Sequence, residues 1–238
     1  MKISVITATY NAINDLPRLV ESLRNQEDQG FEWVVADGAS TDGTLDLLQS
    51  ITDLNIKVSS QEDFGIYDAL NRAIKISSGE FYLVVGADDF LYPSAIKDYK
   101  QAIEEGVDIV TAPIQFKDRI SPPEGRGPSW LYAQFAYISG HAVGSIYRKS
   151  LHQEFGLYSR KFPIAADQFF ILKCIKGGAK IKRIKNIAGY FNDVGVSSID
   201  LTGALTEWYR VQLMVGEKKF SQTLLFFMRL IKHYKKLK

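Results

Sequence analysis

The sequence predicts an α/β domain: a mostly parallel sheet flanked by helices, with a C-terminal helical extension. Through residue 115, short apolar runs alternate with segments whose apolar residues recur at helical spacing. Runs such as Phe81-Tyr82-Leu83-Val84-Val85 are continuous, as in strands buried on both faces of a parallel sheet. The segments after the runs are polar or glycine-rich, which suits a ligand crevice at the carboxyl ends of parallel strands.

Ile3 to Ile6 reads as the first strand. Leu16, Leu19, Val20 and Leu23 follow at helical spacing, with Asn14 or Asp15 as cap. Phe31 to Ala36 reads as a second strand. Leu45, Leu48 and Ile51 mark a helix after the turn-rich stretch from Asp37 to Gly43. Ile56 to Val58 reads as a short strand. Ile66, Ala69, Leu70, Ala73 and Ile74 mark a third helix, closed by Ser78-Gly79. Phe81 to Val85 completes a set of βαβ units, for which right-handed crossovers are expected. The strand ends then present Thr7 to Asn11, Asp37 to Ser40, Glu62 to Gly65 and Gly86 to Asp89.

The second half is less regular. Asp108 to Ala112 and Ala142 to Tyr147 read as strands, Asp167 to Lys176 as a helix, and Lys180 to Phe191 as one or two strands. Lys117 to Pro128 holds three prolines and two glycines and reads as a loop, a candidate flap over the site. Residues 1–217 form one domain in this reading, and residues 218–238 a basic amphipathic helix.

Hydrophobic residues make up 46% of the 238 and charged residues 24%, a globular composition that excludes general disorder. The single cysteine, Cys174, allows no intrachain disulfide, which fits a reducing compartment. No segment has the length or character of a secretion signal or a membrane-spanning helix, so a cytoplasmic location is expected. The net charge of +2 conceals an asymmetry. Residues 218–238 carry seven lysines and arginines and no acid, leaving the rest net acidic. That pattern suggests a local anchor rather than a nucleic-acid surface. Leu224, Phe227, Met228, Ile231 and Tyr234 lie at helical spacing among these lysines. The tail is either an interfacial helix on an anionic membrane or a helix packed on the body.

The chemistry-bearing residues begin with Asp88 and Asp89. Adjacent carboxylates after a buried strand repel, and a hard cation such as Mg²⁺ or Mn²⁺ offsets that repulsion through oxygen ligands. The alternative is that one of them caps the turn before Tyr92-Pro93. Asp37 ends the second strand, where a carboxylate can accept hydrogen bonds from a base or ribose. Asp42-Gly43 reads as a turn and cap. Asp68 and Arg72 are spaced as an i,i+4 pair. A dinucleotide glycine fingerprint, a P-loop and a nucleophile elbow are missing from the sequence. One cysteine and three histidines are too few for a usual structural zinc site.

Four motifs occur in order: Thr7-Ala8-Thr9-Tyr10-Asn11, then Asp37-Gly38-x-Ser40-x-Asp42-Gly43-Thr44, then Asp63-x-Gly65-Ile66-Tyr67-Asp68-Ala69-x-Asn71, then Gly86-Ala87-Asp88-Asp89. In this combination the chain resembles the family 2 glycosyltransferases of the GT-A (Rossmann-like) fold, across roughly residues 1–200. It is similar to the bacterial enzymes of capsule, exopolysaccharide and lipopolysaccharide assembly. The resemblance implies a nucleotide-diphosphate sugar donor. Thr7, Tyr10 and Asn11 would line its base pocket, Asp37 would contact uracil or ribose, and Asp63 and Asn71 would belong to the same crevice. The family's metal motif is usually Asp-x-Asp, and here its first position is Gly86. Asp88 is then the implied ligand of a divalent metal, with Asp89 beside it as support or cap. Asp167, before the run Phe169-Phe170-Ile171-Leu172, falls where these enzymes carry the base that takes the acceptor's proton. Its alternative is a plain helix cap. His141 would lie on the acceptor side, and Gly195-Val196-Ser197 resembles a loop that closes on the donor.

The function expected is inverting transfer of a sugar from a nucleotide-diphosphate sugar, a UDP-sugar in this reading, to a saccharide or lipid-linked saccharide acceptor. The rival reading is a catalytically silent nucleotide-sugar-binding or scaffold protein, supported by Gly86.

Overall fold

The computed structural model describes residues 2–123, 125–192 and 200–237. Strands β1 (Ile3–Thr9), β2 (Phe31–Asp37), β3 (Ile56–Ser60) and β4 (Phe81–Val84) alternate with helices α1 (Leu16–Arg24), α2 (Thr44–Ser50) and α3 (Ile66–Ile76). Then come β5 (Phe90–Leu91), α4 (Ala95–Ala102), β6 (Ile109–Thr111), β7 (Gln115–Phe116), β8 (Arg119–Ile120) and α5 (Ser129–Tyr132). The chain continues through β9 (Ser145–Arg148), α6 (Leu151–Phe155), α7 (Ala166–Lys176), β10 (Ile181–Arg183) and β11 (Gly189–Tyr190). Helices α8 (Leu201–Met214) and α9 (Lys219–His233) close it.

Among the described residues, the main sheet has the order β10-β6-β9-β4-β1-β2-β3. β1 pairs parallel with β2 and β4, β2 with β3, and β6 with β10. β9 enters antiparallel between β4 and β6. A small second sheet runs β5-β11-β7-β8.

The continuous apolar strands are explained by two separate cores. Successive side chains point to opposite faces of a sheet. Val5, Trp33, Val35, Phe81 and Leu83 pack with Leu16, Leu19, Leu23 and Tyr99 on one face. Ile6, Val34, Tyr82 and Val84 pack with Leu70, Ile74, Phe170 and Ile171 on the other. With both faces covered, helices must cross over between strands, and the strand ends are left free for a site.

Three local expectations change. The Lys117 to Pro128 segment opens as a two-stranded hairpin, with Lys117 at φ 51° in its turn. Asp68 pairs with Arg160, from a segment 92 residues away, rather than with Arg72. Asp15 takes the N-cap position of α1 but makes no side-chain cap bond.

α9 is docked on the body. Gln222 Nε2 donates to the Trp130 carbonyl and Arg229 Nη2 to the Leu131 carbonyl, while Leu225 is buried. Its other face exposes Phe220, Leu224, Phe227, Met228 and Ile231. No helix among the described residues is long and apolar enough to cross a membrane.

Candidate active site

Strand register places Thr9, Asp37 and Ser60 side by side at the carboxyl ends of β1, β2 and β3. Thr9 Oγ1 donates to Asp37 Oδ1 at 3.0 Å and Ser60 Oγ to Oδ2 at 2.8 Å. The Ser40 amide donates to Oδ2 at 2.9 Å, and the Ser40 hydroxyl to Oδ1. Burial alone would raise the Asp37 carboxyl; the bonds from Ser40, Ser60 and Thr9 outweigh it and hold it below the usual carboxylate range. Asp37 is fully buried, which corrects the expectation that it touches a base or ribose. It instead fixes the two loops that form the crevice floor. Thr7 needs the same correction. Strand alternation puts it on the face of Val5 and Trp33, where it is buried and accepts a hydrogen bond from the Trp33 indole at 3.0 Å.

The accessible part of this crevice is Tyr10, Asn11, Gly38 and Asp63. Tyr10 is 70% exposed. Asn11 adopts φ 49° and its Oδ1 accepts from the Thr41 amide, which ties the β1 loop to the β2 loop. Gly38 lies between Tyr10 and Asp63. A Cβ there would meet Asp63 Oδ2 at 2.9 Å and the Tyr10 ring at 3.3 Å, so the missing side chain keeps a slot open. Asp63 accepts from the Gly65 amide and lies 3.9 Å from Arg72 Nη2, which itself donates to the Asp37 carbonyl. Asn71 is outside the crevice, contrary to expectation. Its amide is buried and exchanges two hydrogen bonds of 2.9 Å with the backbone of Tyr158, a structural clasp 87 residues long.

Asp88 and Asp89 differ sharply. Asp89 is buried, and its oxygens accept from the Gly86 and Asn192 amides at 2.9 and 2.8 Å. Burial, reinforced by the Asp88 charge, pushes its carboxyl up to about 7. Asp89 is therefore corrected from metal ligand to loop clasp: it is buried, and each of its oxygens accepts from a backbone amide. Asp88 is raised as well, by burial and by Asp15 across the crevice, while Asn192 contributes a side-chain hydrogen bond. Gly86 has a local reason. A Cβ there would lie 2.8 Å from Asp89 Oδ2 and 2.9 Å from Asp88 Oδ1, so a longer side chain would have to displace both carboxylates.

A divalent cation fits this turn only as a shared ligand. No group of three or more His, Cys, Asp or Glu that could hold a metal by itself occurs among the described residues. A cation that draws most of its shell from diphosphate oxygens and water needs one or two protein carboxylates. Asp88, partly desolvated and within the field of Asp15, would supply one.

Asp167 lies in the first turn of α7 and does not cap it. Ala165 is the N-cap residue, and Glu207 of α8 accepts from the Ile164 and Ala165 amides. Asp167 Oδ1 accepts from the Tyr67 hydroxyl at 2.7 Å. Burial next to this carboxylate holds the Tyr67 phenol well above its ordinary value, so it remains a donor. Oδ2 has no protein donor within hydrogen-bond range among the described residues; its neighbour is His141 Nδ1 at 3.9 Å. His141 is brought there by the loop before β9, where the Val143 amide donates to the Val84 carbonyl at the end of β4. Tyr67 stands four residues after Asp63, so one helix start joins the crevice to Asp167.

Sequence reasoning assigned no role to Tyr67, although it lies inside the third motif. It also missed Asn192, which bears no motif. Arg148 and Lys149 bond to carbonyls at Val107 and Ser77 and stand apart from the crevice. Gly195-Val196-Ser197 lies outside the described residues.

A mainly parallel sheet covered by helices on both faces, with its crevice at the strand ends, is the architecture of the GT-A glycosyltransferases. The chain belongs to glycosyl transferase family 2, whose family model matches residues 4–163. It is 27% identical over 199 residues to a PGL/p-HBAD biosynthesis glycosyltransferase of Mycobacterium bovis, covering 81% of this chain and 77% of that protein. It is 30% identical over 202 residues to the poly(ribitol-phosphate) beta-N-acetylglucosaminyltransferase TarS of Staphylococcus aureus, covering 80% of this chain but 35% of TarS. A TarS fragment crystallised with UDP-GlcNAc superposes with a TM-score of 0.73 at 24% identity, over 99% of this chain and 73% of that one. The glucosyl-3-phosphoglycerate synthase of Mycobacterium tuberculosis, in complex with Mn²⁺, UDP and phosphoglyceric acid, superposes with a TM-score of 0.65 at 13% identity, over 91% and 79%. These superpositions show a shared fold.

Proposed function

We propose that this chain transfers a sugar from a UDP-sugar to a hydroxyl of a saccharide or lipid-linked saccharide, with inversion, in the assembly of a bacterial surface polysaccharide. One observation carries the reading: Asp167 is held by Tyr67 through one oxygen, and its other oxygen has no donor among the described residues. Family membership and the UDP-GlcNAc of the TarS complex support the donor class.

Tyr10, Asn11, Gly38 and Asp63 receive the nucleotide base and ribose. Asp88 faces the diphosphate and would hold Mg²⁺ or Mn²⁺ there. That cation supplies charge neutralisation of the leaving group. Asp167 Oδ2 takes the proton of the attacking hydroxyl as its oxygen forms the bond to the anomeric carbon. A single base opposite the leaving group inverts the centre. A silent scaffold would have no use for a carboxylate kept free of protein donors.

The test is a thermal-shift screen of UDP- and GDP-sugars with and without Mn²⁺, followed by Asp167→Asn. Binding should raise the melting temperature by mass action. Asp167→Asn should keep that shift and lose transfer. Turnover retained in this variant would reject Asp167 as the base.

The exposed apolar row of α9, flanked by Lys219, Lys232 and Lys235, supports a peripheral site on an anionic membrane, at the cytoplasmic face where lipid-linked acceptors lie. Replacing Phe220, Phe227 and Ile231 with serine should abolish co-flotation with phosphatidylglycerol vesicles. Undiminished flotation would reject this location.

A further inference from the structure

The two ring nitrogens of His141 meet different partners. Nδ1 faces Asp167 Oδ2 at 3.9 Å, and Nε2 lies 2.7 Å from the Tyr158 hydroxyl. From there a line of polar atoms runs into the core. Tyr158 Oη lies 2.9 Å from Tyr82 Oη, and Tyr82 Oη lies 2.8 Å from His152 Nε2. His152 Nδ1 lies 3.1 Å from the Gly156 carbonyl oxygen. The His152 ring stacks on Phe170 with centroids 4.1 Å apart and on the Tyr82 ring at 5.4 Å.

The direction of every bond in this line follows from its inner end. A carbonyl oxygen only accepts, so His152 Nδ1 carries the hydrogen. Burial pushes His152 down to about 4, so near neutral pH the ring is uncharged and Nε2 is a bare acceptor. Tyr82 must then donate to it. With its one hydrogen spent, Tyr82 accepts from Tyr158. Tyr158, its hydrogen also spent, accepts from His141, whose Nε2 therefore carries the hydrogen. Burial also pushes His141 down, against the pull of the Asp167 charge, and the neutral ring leaves Nδ1 bare. This is the tautomer that Asp167 by itself would disfavour, because a carboxylate prefers an N–H facing it.

We propose that Tyr158, Tyr82 and His152 are positioning residues that lock His141 in its Nε2–H tautomer, so that His141 Nδ1 and Asp167 Oδ2 form a pair of acceptors for the hydroxyl-bearing substrate. The proposal rests on Asp167 being the base. During transfer the O–H bond of the acceptor breaks, and the oxygen's electron pair forms the bond to the anomeric carbon. The bond from that carbon to the diphosphate oxygen breaks with its electron pair on the leaving group. The proton ends on Asp167 Oδ2, facing the lone pair of Nδ1. In the opposite tautomer it would face another hydrogen. The same pair suits an acceptor with two neighbouring hydroxyls, one donating to each atom.

Long-range ¹H–¹⁵N correlation on the ¹⁵N-labelled full chain reads the tautomer without any ligand. The chain has three histidines, so His141→Gln and His233→Gln assign the signals. The wild type should show His141 as Nε2–H and His152 as Nδ1–H. Tyr82→Phe cuts the line and should move His141 to Nδ1–H. It should also lower kcat for UDP release from UDP-N-acetylglucosamine about tenfold, with the donor KM little changed. An Nδ1–H His141 in the wild type overturns the proposal without any variant. So does an unmoved tautomer in folded Tyr82→Phe, or in Tyr158→Phe should the first variant not fold. Turnover by Asp167→Asn would sink the base assignment separately, because the wild-type tautomers do not depend on that result.

Discussion

Asp37 accepts four hydrogen bonds from protein donors, and Asp167 accepts one side-chain bond among the described residues. Both carboxylates sit at the carboxyl-terminal edge of the same sheet. Around Asp37, every donor comes from a strand end or loop within residues 9–60. Around Asp167, the neighbours Tyr67 and His141 come from segments 100 and 26 residues distant in sequence. A saturated carboxylate has no lone pair left for a ligand and works as a clasp. An unsaturated one, held by a single donor, is available for chemistry. Asp89 and Asp88 differ in burial instead: Asp89 is buried and accepts from two backbone amides, whereas Asp88 is partly exposed.

The contrast makes opposite expectations for isosteric variants. Asp167→Asn should lower kcat by about 10³-fold while leaving UDP affinity and the urea midpoint nearly unchanged. Asp37→Asn should do the reverse. It places an amide donor among hydroxyl and amide donors and should cost about 2–4 kcal/mol in urea unfolding. Stability unchanged in Asp37→Asn, with transfer abolished, would break the comparison.

Glu32 sharpens it from the other end of the sheet. Burial would raise its carboxyl, but bonds from Ser4, Ser78 and Lys2 hold it down at about 2. A depressed folded value means that the stabilisation is present above the unfolded value of 4.5 and is lost as pH falls through about 2. Acid titration of the wild type should show about 3 kcal/mol of stability disappearing over that window, and Glu32→Gln should flatten it. An unchanged acid profile in Glu32→Gln would remove Glu32 from the class of clasps.

The smallest effect concerns the slot. Gly38→Ala crowds Tyr10 and Asp63 and should weaken UDP binding about fivefold, near 1 kcal/mol, by calorimetry. kcat at saturating donor should hold, because Asp167 is untouched. A fall in kcat with affinity intact would place Gly38 in the chemistry rather than in binding.

The βαβ half was legible because its signals are local. Period and run length place β1 to β4 and their helices, and the crevice motifs follow each strand end by register. α4 was not assigned from the sequence: its buried residues Ala95, Ile96, Tyr99 and Ala102 span a helix of only eight residues, too short for a clear period. β9 was readable as a strand, but its antiparallel place between β4 and β6 was not, because strand order depends on contacts between distant segments.

The same physical line divides the site. By itself, the sequence determined the sheet class, the crevice at the strand ends and the residue types it offers, since these follow from periodicity and from turn chemistry close in the chain. Only the tertiary structure decided which of those residues are spent. Thr7 and Asp37 turn inward, Asn71 and Asp89 hold backbone amides or carbonyls, and Asp88 and Asp167 remain available. Hydrogen-bond saturation depends on donors from segments as much as 103 residues away, such as Asn192 on Asp89, and no local pattern encodes it.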